Sequence, residues 1–227
     1  MITVVGGTKG GTGKSTVATN LAVMLAGQGR DVLLVDADRQ ESATLFTNMR
    51  NQTRPGGAGY TCVALAGRAV ATEVRRLAPK YQDVVIDTGG SDTACQRAAL
   101  AVADACLVPF APRSFDVWTL EKVAALVEEA RAVNPGLRAY AFLNRADAAG
   151  PDNAAAAEIL MAEPALQFIP AALGNRKSYA KAANGGLGVA ELRPQDRKAV
   201  EEIEVLVRYV AEAPVDERAA ASESRGG

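Results

Sequence analysis

The sequence predicts an α/β fold, with a doubly wound, mostly parallel sheet that carries helices on both faces. Short, continuous apolar runs alternate along the chain with longer segments in which apolar residues recur at helical spacing. Such runs are typical of strands buried on both faces of a parallel sheet. A glycine-rich segment directly follows the first run, and folds of this class bind ligands at the carboxyl ends of their strands.

The apolar runs and the helical spacing define the predicted elements. The predicted strands are residues 2–5, 32–35, 84–86, 105–110, 139–143 and 166–169. The predicted helices are residues 14–26, 93–103, 117–133 and 194–211. Gly27 or Gly29 suits the end of the first helix, and Pro194 suits the first turn of the last one. Residues 51–59 are rich in glycine and polar residues, which predicts a loop.

A segment of sequence KGGTGKST, residues 9–16, follows the first strand and opens the first helix. Glycines let successive backbone N–H groups approach an anion, because a Cβ atom would block that approach. The helix N-terminus presents a positive dipole end, and the lysine and hydroxyl in the segment suit phosphate oxygens and Mg²⁺. The segment therefore predicts a phosphate-binding loop.

The loop departs from the usual pattern G-x-x-x-x-G-K-[ST] in two ways. Thr8 stands where the first glycine is expected, and Lys9 adds a second lysine. The form K-G-G-x-G-K-[ST] is the hallmark of the deviant loop of nucleotide-dependent dimerising ATPases. In this loop the chain resembles the ParA/MinD family of deviant Walker ATPases.

The resemblance continues in four more segments, which occur in the family's order and extend it over about residues 1 to 212. Residues 36–40 are similar to the D-x-D-P-Q switch segment, with Arg39 in place of proline. Residues 84–88 are similar to the Walker B strand, followed by Gly89-Gly90 instead of the common proline pair. The other two segments resemble the family's next strands, and they are residues 106–109 and 141–145.

The resemblance implies the roles of the matching residues. Lys9, Lys14 and Asp38 are the expected catalytic residues: Lys14 contacts β and γ phosphate oxygens, Asp38 orients the attacking water, and Lys9 reaches the partner's nucleotide across a dimer interface. The expected Mg²⁺ residues are Ser15, Asp38 and Asp87, the last acting through water. The other expected ATP contacts are Gly10, Gly11, Thr12, Gly13, Thr16 and Asn144. For Asn144 the contact is to adenine.

Simpler roles stay open for some of these residues. Strand-end acids such as Asp36, Asp38 and Asp87 often only cap turns or helices. An asparagine at a strand end, like Asn144, often only fixes a turn.

Composition excludes several other chemistries. The chain contains no histidine, which rules out Ser-His-Asp and Cys-His nucleophile systems and H-E-x-x-H metal sites. Its 25 basic and 26 acidic residues give a net charge of −1, so no global attraction to a polyanion is implied. Cys62, Cys95 and Cys106 form no C-x-x-C pair, which favours reduced thiols in a cytosolic protein.

Length and local composition predict one P-loop ATPase domain over residues 1–213 and a disordered tail over residues 214–227. We expect no signal peptide, since the phosphate loop begins at once, and no apolar run approaches the roughly 20 residues of a membrane span. We also expect no helix-turn-helix domain before the loop. The chain thus looks like the small type of partition ATPase.

Basic residues cluster in the region 176–198 of this nearly neutral chain. Relatives bind DNA non-specifically through basic residues in their C-terminal third, and phosphate contacts need charge rather than base readout. The predicted DNA contacts are Arg176, Lys177, Lys181, Arg197 and Lys198. The alternative is a solvated face without a ligand.

The leading functional hypothesis is a ParA-like ATPase that uses ATP and Mg²⁺ to close a homodimer. The dimer would bind DNA non-specifically, and a ParB-like or adaptor protein would stimulate hydrolysis. The cargo would be a plasmid, a chromosome region or a protein assembly. Such a protein would be cytoplasmic, and nucleoid-associated when ATP-bound.

Two alternatives remain. One is a MinD-like membrane-cycling ATPase, which the acidic polar face of the last helix disfavours, so we expect no membrane partner. The other is a P-loop synthetase of small-molecule metabolism, which shares the loop and the fold.

Overall fold

A computed structural model describes residues 1–90, 93–114, 116–149 and 151–211. Seven parallel strands form one sheet in the order β3-β2-β4-β1-β5-β6-β7. The strands are β1 (Ile2–Val5), β2 (Val32–Ala37), β3 (Thr61–Ala64), β4 (Asp83–Thr88), β5 (Ala105–Phe110), β6 (Arg138–Ala146) and β7 (Gln167–Gly174). The predicted fold class is confirmed. The predicted tail, residues 214–227, lies outside the described residues.

The helices within the described residues cover both faces of the sheet. They are α1 (Lys14–Gly27), α2 (Ser42–Thr53), α3 (Ala69–Leu77), α4 (Thr93–Leu100), α5 (Val117–Val133), α6 (Pro151–Met161), α7 (Lys177–Asn184) and α8 (Arg197–Ala211). Side chains of α3, α4, α5 and α6 form one core cluster with the sheet. Side chains of α1, α2, α7 and α8 form the other cluster. None of the helices in the described ranges has the length and apolar character needed to cross a bilayer.

Alternation along the strands produces these two cores. Val4 belongs to one cluster and its neighbour Val5 to the other, and Leu33 and Leu34 divide in the same way. Every residue of β2, β4 and β5 is buried. Continuous apolar runs, rather than alternating ones, therefore mark the central strands.

The structure also corrects several predicted boundaries. Pro194 is not in the first turn of the last helix: α8 begins at Arg197, where the Asp196 carboxylate accepts a hydrogen bond from the Ala199 N–H at 3.2 Å. This acid caps the helix, so the proline lies in the preceding turn. The predicted loop 51–59 begins later, because α2 continues to Thr53. The strand predicted at 166–169 runs over Gln167–Gly174.

Sheet register brings the acidic strand ends together. Asp36 at the end of β2 pairs in register with Asp87 at the end of β4. Asp87 also pairs with Val5, the last residue of β1. The loop that leaves β1 therefore lies beside both carboxylates, at the edge of the sheet where parallel folds bind ligands.

Candidate active site

The glycine-rich loop joins β1 to α1 around an open cleft of about 360 Å³. Gly13 has a φ of 90°, and a Cβ atom there would lie 2.3 Å from Asn144 Nδ2, so only glycine fits. The predicted residues that line the cleft are Gly10, Gly11, Gly13, Lys14, Ser15, Thr16 and Asp38. The structure thus gathers most of the predicted phosphate contacts around one space.

Lys14 is buried at the first position of α1. Its ammonium donates a hydrogen bond to the Lys9 carbonyl at 2.8 Å. Burial lowers the pKa of Lys14, while the negative charges of Asp87 and Asp38 oppose that shift. A lysine held in this way presents its positive charge at the loop where phosphates are expected.

Asp87 is fully buried at the end of β4, and among the described residues neither of its carboxylate oxygens has a hydrogen-bond partner. Burial raises the pKa of Asp87 to about 7, and the charges of Asp36 and Asp38 add to the shift. The Ser15 hydroxyl lies near enough to oppose this shift, as does the charge of Lys14, although neither group completes a hydrogen bond to Asp87 in this structure. Burying a carboxylate without hydrogen bonds destabilises the folded protein unless a ligand such as a metal ion binds the carboxylate oxygens.

This environment fits Mg²⁺. Carboxylate and hydroxyl oxygens are its preferred donors, and Asp87 and Ser15 supply both kinds. Across the described ranges, no group of three or more Asp, Glu or Cys side chains is placed to hold a metal ion. An ion here would therefore complete its shell with phosphate oxygens and water.

We expect Asp87→Asn to raise the stability of the nucleotide-free protein more at pH 8 than at pH 5. The folded pKa of about 7 exceeds the ordinary aspartate value, so stability is lost as the pH rises from about 4 to about 7. The asparagine amide cannot ionise. The rise in the free energy of unfolding caused by Asp87→Asn should therefore be about 1–3 kcal/mol larger at pH 8 than at pH 5. Urea unfolding at both pH values measures it.

The exposed carboxylate of Glu204 on α8 supplies the matched control. Glu204→Gln should change stability equally at pH 5 and pH 8. An Asp87→Asn gain that is the same at both pH values would contradict the assigned cost of the buried carboxylate.

The two acids after β2 have different roles. Asp36 is buried and its carboxylate accepts hydrogen bonds from the Asp38 N–H at 3.1 Å and the Thr44 N–H at 2.8 Å. It therefore fixes the turn and the start of α2, which is the capping role open to strand-end acids. Asp38 lines the cleft, and its Oδ1 accepts a local hydrogen bond from the Gln40 N–H at 3.1 Å.

Gly89 and Gly90, which replace the common proline pair, are packed too closely for side chains. A Cβ on Gly89 would lie 2.8 Å from the Asp38 carboxylate, and one on Gly90 would lie 2.8 Å from the Gly10 nitrogen. The buried Gln96 amide holds this segment by donating to the Gly89 carbonyl and, at 3.0 Å, to the Gly7 carbonyl. The glycines thus bring the end of β4 against both the loop and Asp38.

Lys9 lies outside the lining of the cleft. Its ammonium donates a hydrogen bond to Asp116 Oδ2 at 2.8 Å. Asp116 also caps α5, because its Oδ1 accepts from the Thr119 N–H at 2.6 Å. The hydrogen bonds from Lys9 and Thr119 hold the pKa of Asp116 down at about 2. The second lysine of the loop is therefore docked on its own subunit in this structure.

Asn144 lies behind the loop. Its Nδ2 donates to the Thr12 carbonyl at 2.6 Å, and its Oδ1 accepts from the Arg145 N–H at 3.0 Å. Both bonds fix backbone, which matches the simpler role open to this residue. Asn144 also lines a second cleft of about 170 Å³, where an adenine base could reach it. The adenine contact therefore stays a prediction.

Sequence reasoning missed Arg145, which lines both clefts. Its φ is 56°, in the left-handed region that costs a non-glycine residue about 1–2 kcal/mol. The register of β6 with β7 is irregular at this point, between Asn144 and Ala146. Bulges of this kind re-aim side chains beside functional sites, and no short motif predicts them.

The second cleft continues from the first through Gly13, Thr16 and Arg145. Tyr179, Ala180 and Ala183 give its lining an apolar part, and Asn144, Asn175 and Arg176 are among its polar groups. A nucleotide with phosphates at the loop would direct its ribose and base towards this space. Ligand pockets commonly combine such an apolar wall with a few polar groups.

The predicted DNA contacts do not all share one environment. Lys177, Lys181, Arg197 and Lys198 are exposed. The Ser178 hydroxyl donates to Asp196 at 2.8 Å, which brings the N-termini of α7 and α8 together. Arg176 differs, because its Nε and Nη2 donate to Glu202 at 2.9 and 2.7 Å. Its charge is therefore used within the subunit.

A strand, a glycine-rich loop opening a helix, and acids at the ends of β2 and β4 define a P-loop nucleotide-binding protein. Residues 3–188 match the family model described as CobQ/CobB/MinD/ParA nucleotide binding domain. The chain belongs to this family, as its resemblance to ParA/MinD proteins predicted, and it is an ATPase.

Relatives and solved structures agree with this assignment. The chain is 31% identical over 207 residues to Maintenance of carboxysome distribution protein A of Gloeobacter kilaueensis, covering 90% of this chain and 89% of the relative. It is 28% identical over 206 residues to the protein of that name from Halothiobacillus neapolitanus, covering 89% and 92%. The structure of a Cyanothece McdA–ATP complex superimposes with a TM-score of 0.75 at 19% identity, covering 95% and 98%. At that identity the likeness concerns the fold alone.

Proposed function

We propose that this protein is an ATP-driven positioning switch. ATP and Mg²⁺ close two copies into a dimer, and the dimer binds DNA without sequence preference. A ParB-like or adaptor protein then stimulates hydrolysis and releases the dimer. The protein would work in the cytoplasm and be associated with the nucleoid while ATP is bound.

The position of Lys9 is the observation that carries this proposal. Lys14 alone occupies the lysine position of its own loop, at 2.8 Å from the Lys9 carbonyl. The Lys9 ammonium is instead held 2.8 Å from Asp116, outside the lining of the cleft. Since Lys14 already fills the lysine position of this loop, we infer that Lys9 exchanges its Asp116 contact for the partner's nucleotide when the dimer closes.

The described residues support ATP hydrolysis in defined roles. Lys14 would neutralise charge on the β and γ phosphates, and Asp38 would orient the attacking water. Ser15 and Asp87 would hold Mg²⁺, which supplies charge compensation on the phosphate oxygens when bound. Gly90, packed on the Lys9–Gly10 peptide, would let the end of β4 respond to a γ-phosphate in the cleft.

Among the possible cargoes, the relatives favour a large protein assembly. Two relatives that align with about nine-tenths of this chain are named for carboxysome distribution. A plasmid or a chromosome region would use the same ATPase cycle with a different adaptor. Membrane cycling is less favoured, because α8 presents the exposed carboxylates of Glu201 and Glu204, which anionic lipid would repel.

We expect the double variant Lys177→Ala/Lys181→Ala to lose DNA retention and keep ATP-dependent dimerisation. Both side chains are exposed one turn apart on α7, and each phosphate contact removed should lower the salt slope by about one. Arg176 is left intact because it is paired with Glu202. Filter binding of random-sequence DNA at several salt concentrations measures the effect.

The matched control removes two positive charges elsewhere. Arg75→Ala/Lys80→Ala, at exposed positions in and after α3, should leave DNA retention unchanged. Undiminished DNA binding by a dimerising Lys177→Ala/Lys181→Ala variant would place the interface elsewhere. ATP turnover that a small carboxylic acid stimulates, and DNA does not, would instead favour the synthetase alternative.

A further inference from the structure

Arg145 has no role in the ATPase site as described so far, yet three of its properties suggest one. It has a left-handed backbone, with a φ of 56°. Its side chain is exposed and lines both the phosphate cleft and the adjoining cleft. Within the described ranges, the structure shows neither an ion pair nor a hydrogen bond for its guanidinium group.

The backbone of Arg145 is fixed from the loop side. Asn144 bonds to the Thr12 carbonyl and to the Arg145 N–H, so the strained turn is tied directly to the phosphate loop. The Arg145 Nε atom lies 3.9 Å from the position of a Cβ built on Gly13. The guanidinium is therefore beside the last glycine of the loop, on a backbone that the surrounding structure holds rigidly.

Local charge indicates what this group would bind. The Lys14 ammonium and the N-terminus of α1 already make this side of the cleft positive. Among the described residues that line the cleft, Asp38 is the one carboxylate, so Lys14, Arg145 and the helix N-terminus together leave an excess of positive charge that favours a bound anion. Guanidinium groups match phosphate oxygens with two parallel hydrogen bonds, and strained residues persist where function requires them.

We propose that Arg145 is a phosphate ligand of the nucleotide bound in its own subunit. It would contact the phosphates at the junction of the two clefts, on the side towards the ribose, while Lys14 contacts the β and γ oxygens. The inference rests on nucleotide binding by the family and not on dimerisation or DNA binding. It deepens the proposed ATPase site by adding a cation that no loop motif contains.

Replacing Arg145 by a residue that tolerates a left-handed backbone should keep or raise stability while it lowers nucleotide affinity. Asparagine and glycine adopt this conformation more readily than arginine. For Arg145→Asn and Arg145→Gly we therefore expect an unfolding midpoint, without nucleotide, that is equal to or above that of the parent. We expect affinity for ADP, measured by calorimetry with Mg²⁺, to fall about ten- to a hundredfold.

Two controls define the contact. Arg145→Lys keeps the charge without the planar fork and should lose only part of the affinity. Arg75→Asn, at an exposed arginine on α3, should leave ADP affinity unchanged. Removing a residue that contacts phosphate should lower the affinities for ADP and GDP by the same factor. Removing a residue that contacts the base should change the ratio of the two affinities.

ADP affinity within twofold of the parent in Arg145→Asn would overturn the proposal, as would a changed ratio of ADP to GDP affinity. A parent protein that binds ADP but neither dimerises nor binds DNA would contradict the proposed function and leave this test intact. The two failures are therefore distinguishable.

Discussion

Asp38→Ala is expected to produce an ATP-bound dimer that persists, with ATP turnover reduced by about 10²–10⁴-fold. Asp38 lines the cleft, and its Oδ1 accepts a local hydrogen bond from the Gln40 N–H. Its loss removes the group that orients water and leaves the loop, Lys14 and Asp87 in place. Light scattering with ATP, together with phosphate release, measures both effects.

Asp36 supplies the contrast for that prediction. Asp36→Ala removes the acceptor of two backbone N–H groups and should lower the free energy of unfolding by about 1–3 kcal/mol. Asp38→Ala should leave unfolding nearly unchanged. A monomeric Asp38→Ala variant under conditions where the parent dimerises with ATP would show that the role given to Asp38 is wrong.

Lys14→Ala is expected to abolish nucleotide binding, with ADP affinity lowered by more than about a hundredfold. Its ammonium is the only lysine ammonium among the described residues that line the phosphate cleft. Lys9 does not replace it, because its ammonium is held on Asp116. Calorimetric titration with ADP and Mg²⁺ measures the loss.

Lys122→Ala, at an exposed position on α5, is the matched control and should bind ADP like the parent. Retention of ADP affinity within tenfold by Lys14→Ala would mean that another cation holds the phosphates. Arg145 would then be the first residue to test, since it lines the same cleft.

The central elements of the fold could be predicted because their burial is visible in the sequence. Strands β1, β2, β4 and β5 read as continuous apolar runs, and α5 was predicted with its observed bounds of Val117–Val133. The edge strand β3 was missed. It has only four residues, and the outer two are exposed, so neither an apolar run nor a clear alternation marks it.

The helices α2, α3, α6 and α7 were also missed, for related reasons. They lie at the margins of the two cores, where each of them buries only two to four residues. Helix α2 includes Asn51 and Gln52 in its last turn, and polar residues followed by Pro55-Gly56 suggested a loop. Tertiary contacts override local composition there: Arg50 is buried and paired with Glu191 at 2.6 Å.

The phosphate loop could be predicted because its chemistry needs particular residues at fixed spacing. Binding a phosphate requires a cation such as Lys14, and binding Mg²⁺ requires a hydroxyl such as that of Ser15. The close approach of the backbone to the phosphate requires a glycine such as Gly13. Arg145, Gln96 and Asp116 come from distant segments, and only the sheet topology brings them to the loop. No spacing rule connects such residues in one sequence.

A cluster of basic residues in the sequence does not show which of those side chains stay exposed in the fold. Arg176 and Lys177 are adjacent in sequence, yet Arg176 is paired with Glu202 while Lys177 is exposed. Glu202 lies 26 residues away in the chain. The sequence shows how many charges a region carries, and the fold decides which of them remain for a partner.

The most direct test of the proposed switch is the mass of the parent protein in solution with Mg²⁺ and ATP, with ADP, and without nucleotide. Light scattering should give the mass of two subunits with ATP and of one subunit otherwise. Lys9→Gln should remain at the mass of one subunit with ATP while binding ADP like the parent. A parent protein that keeps the mass of one subunit with ATP, or a Lys9→Gln variant that dimerises normally, would contradict the proposed switch.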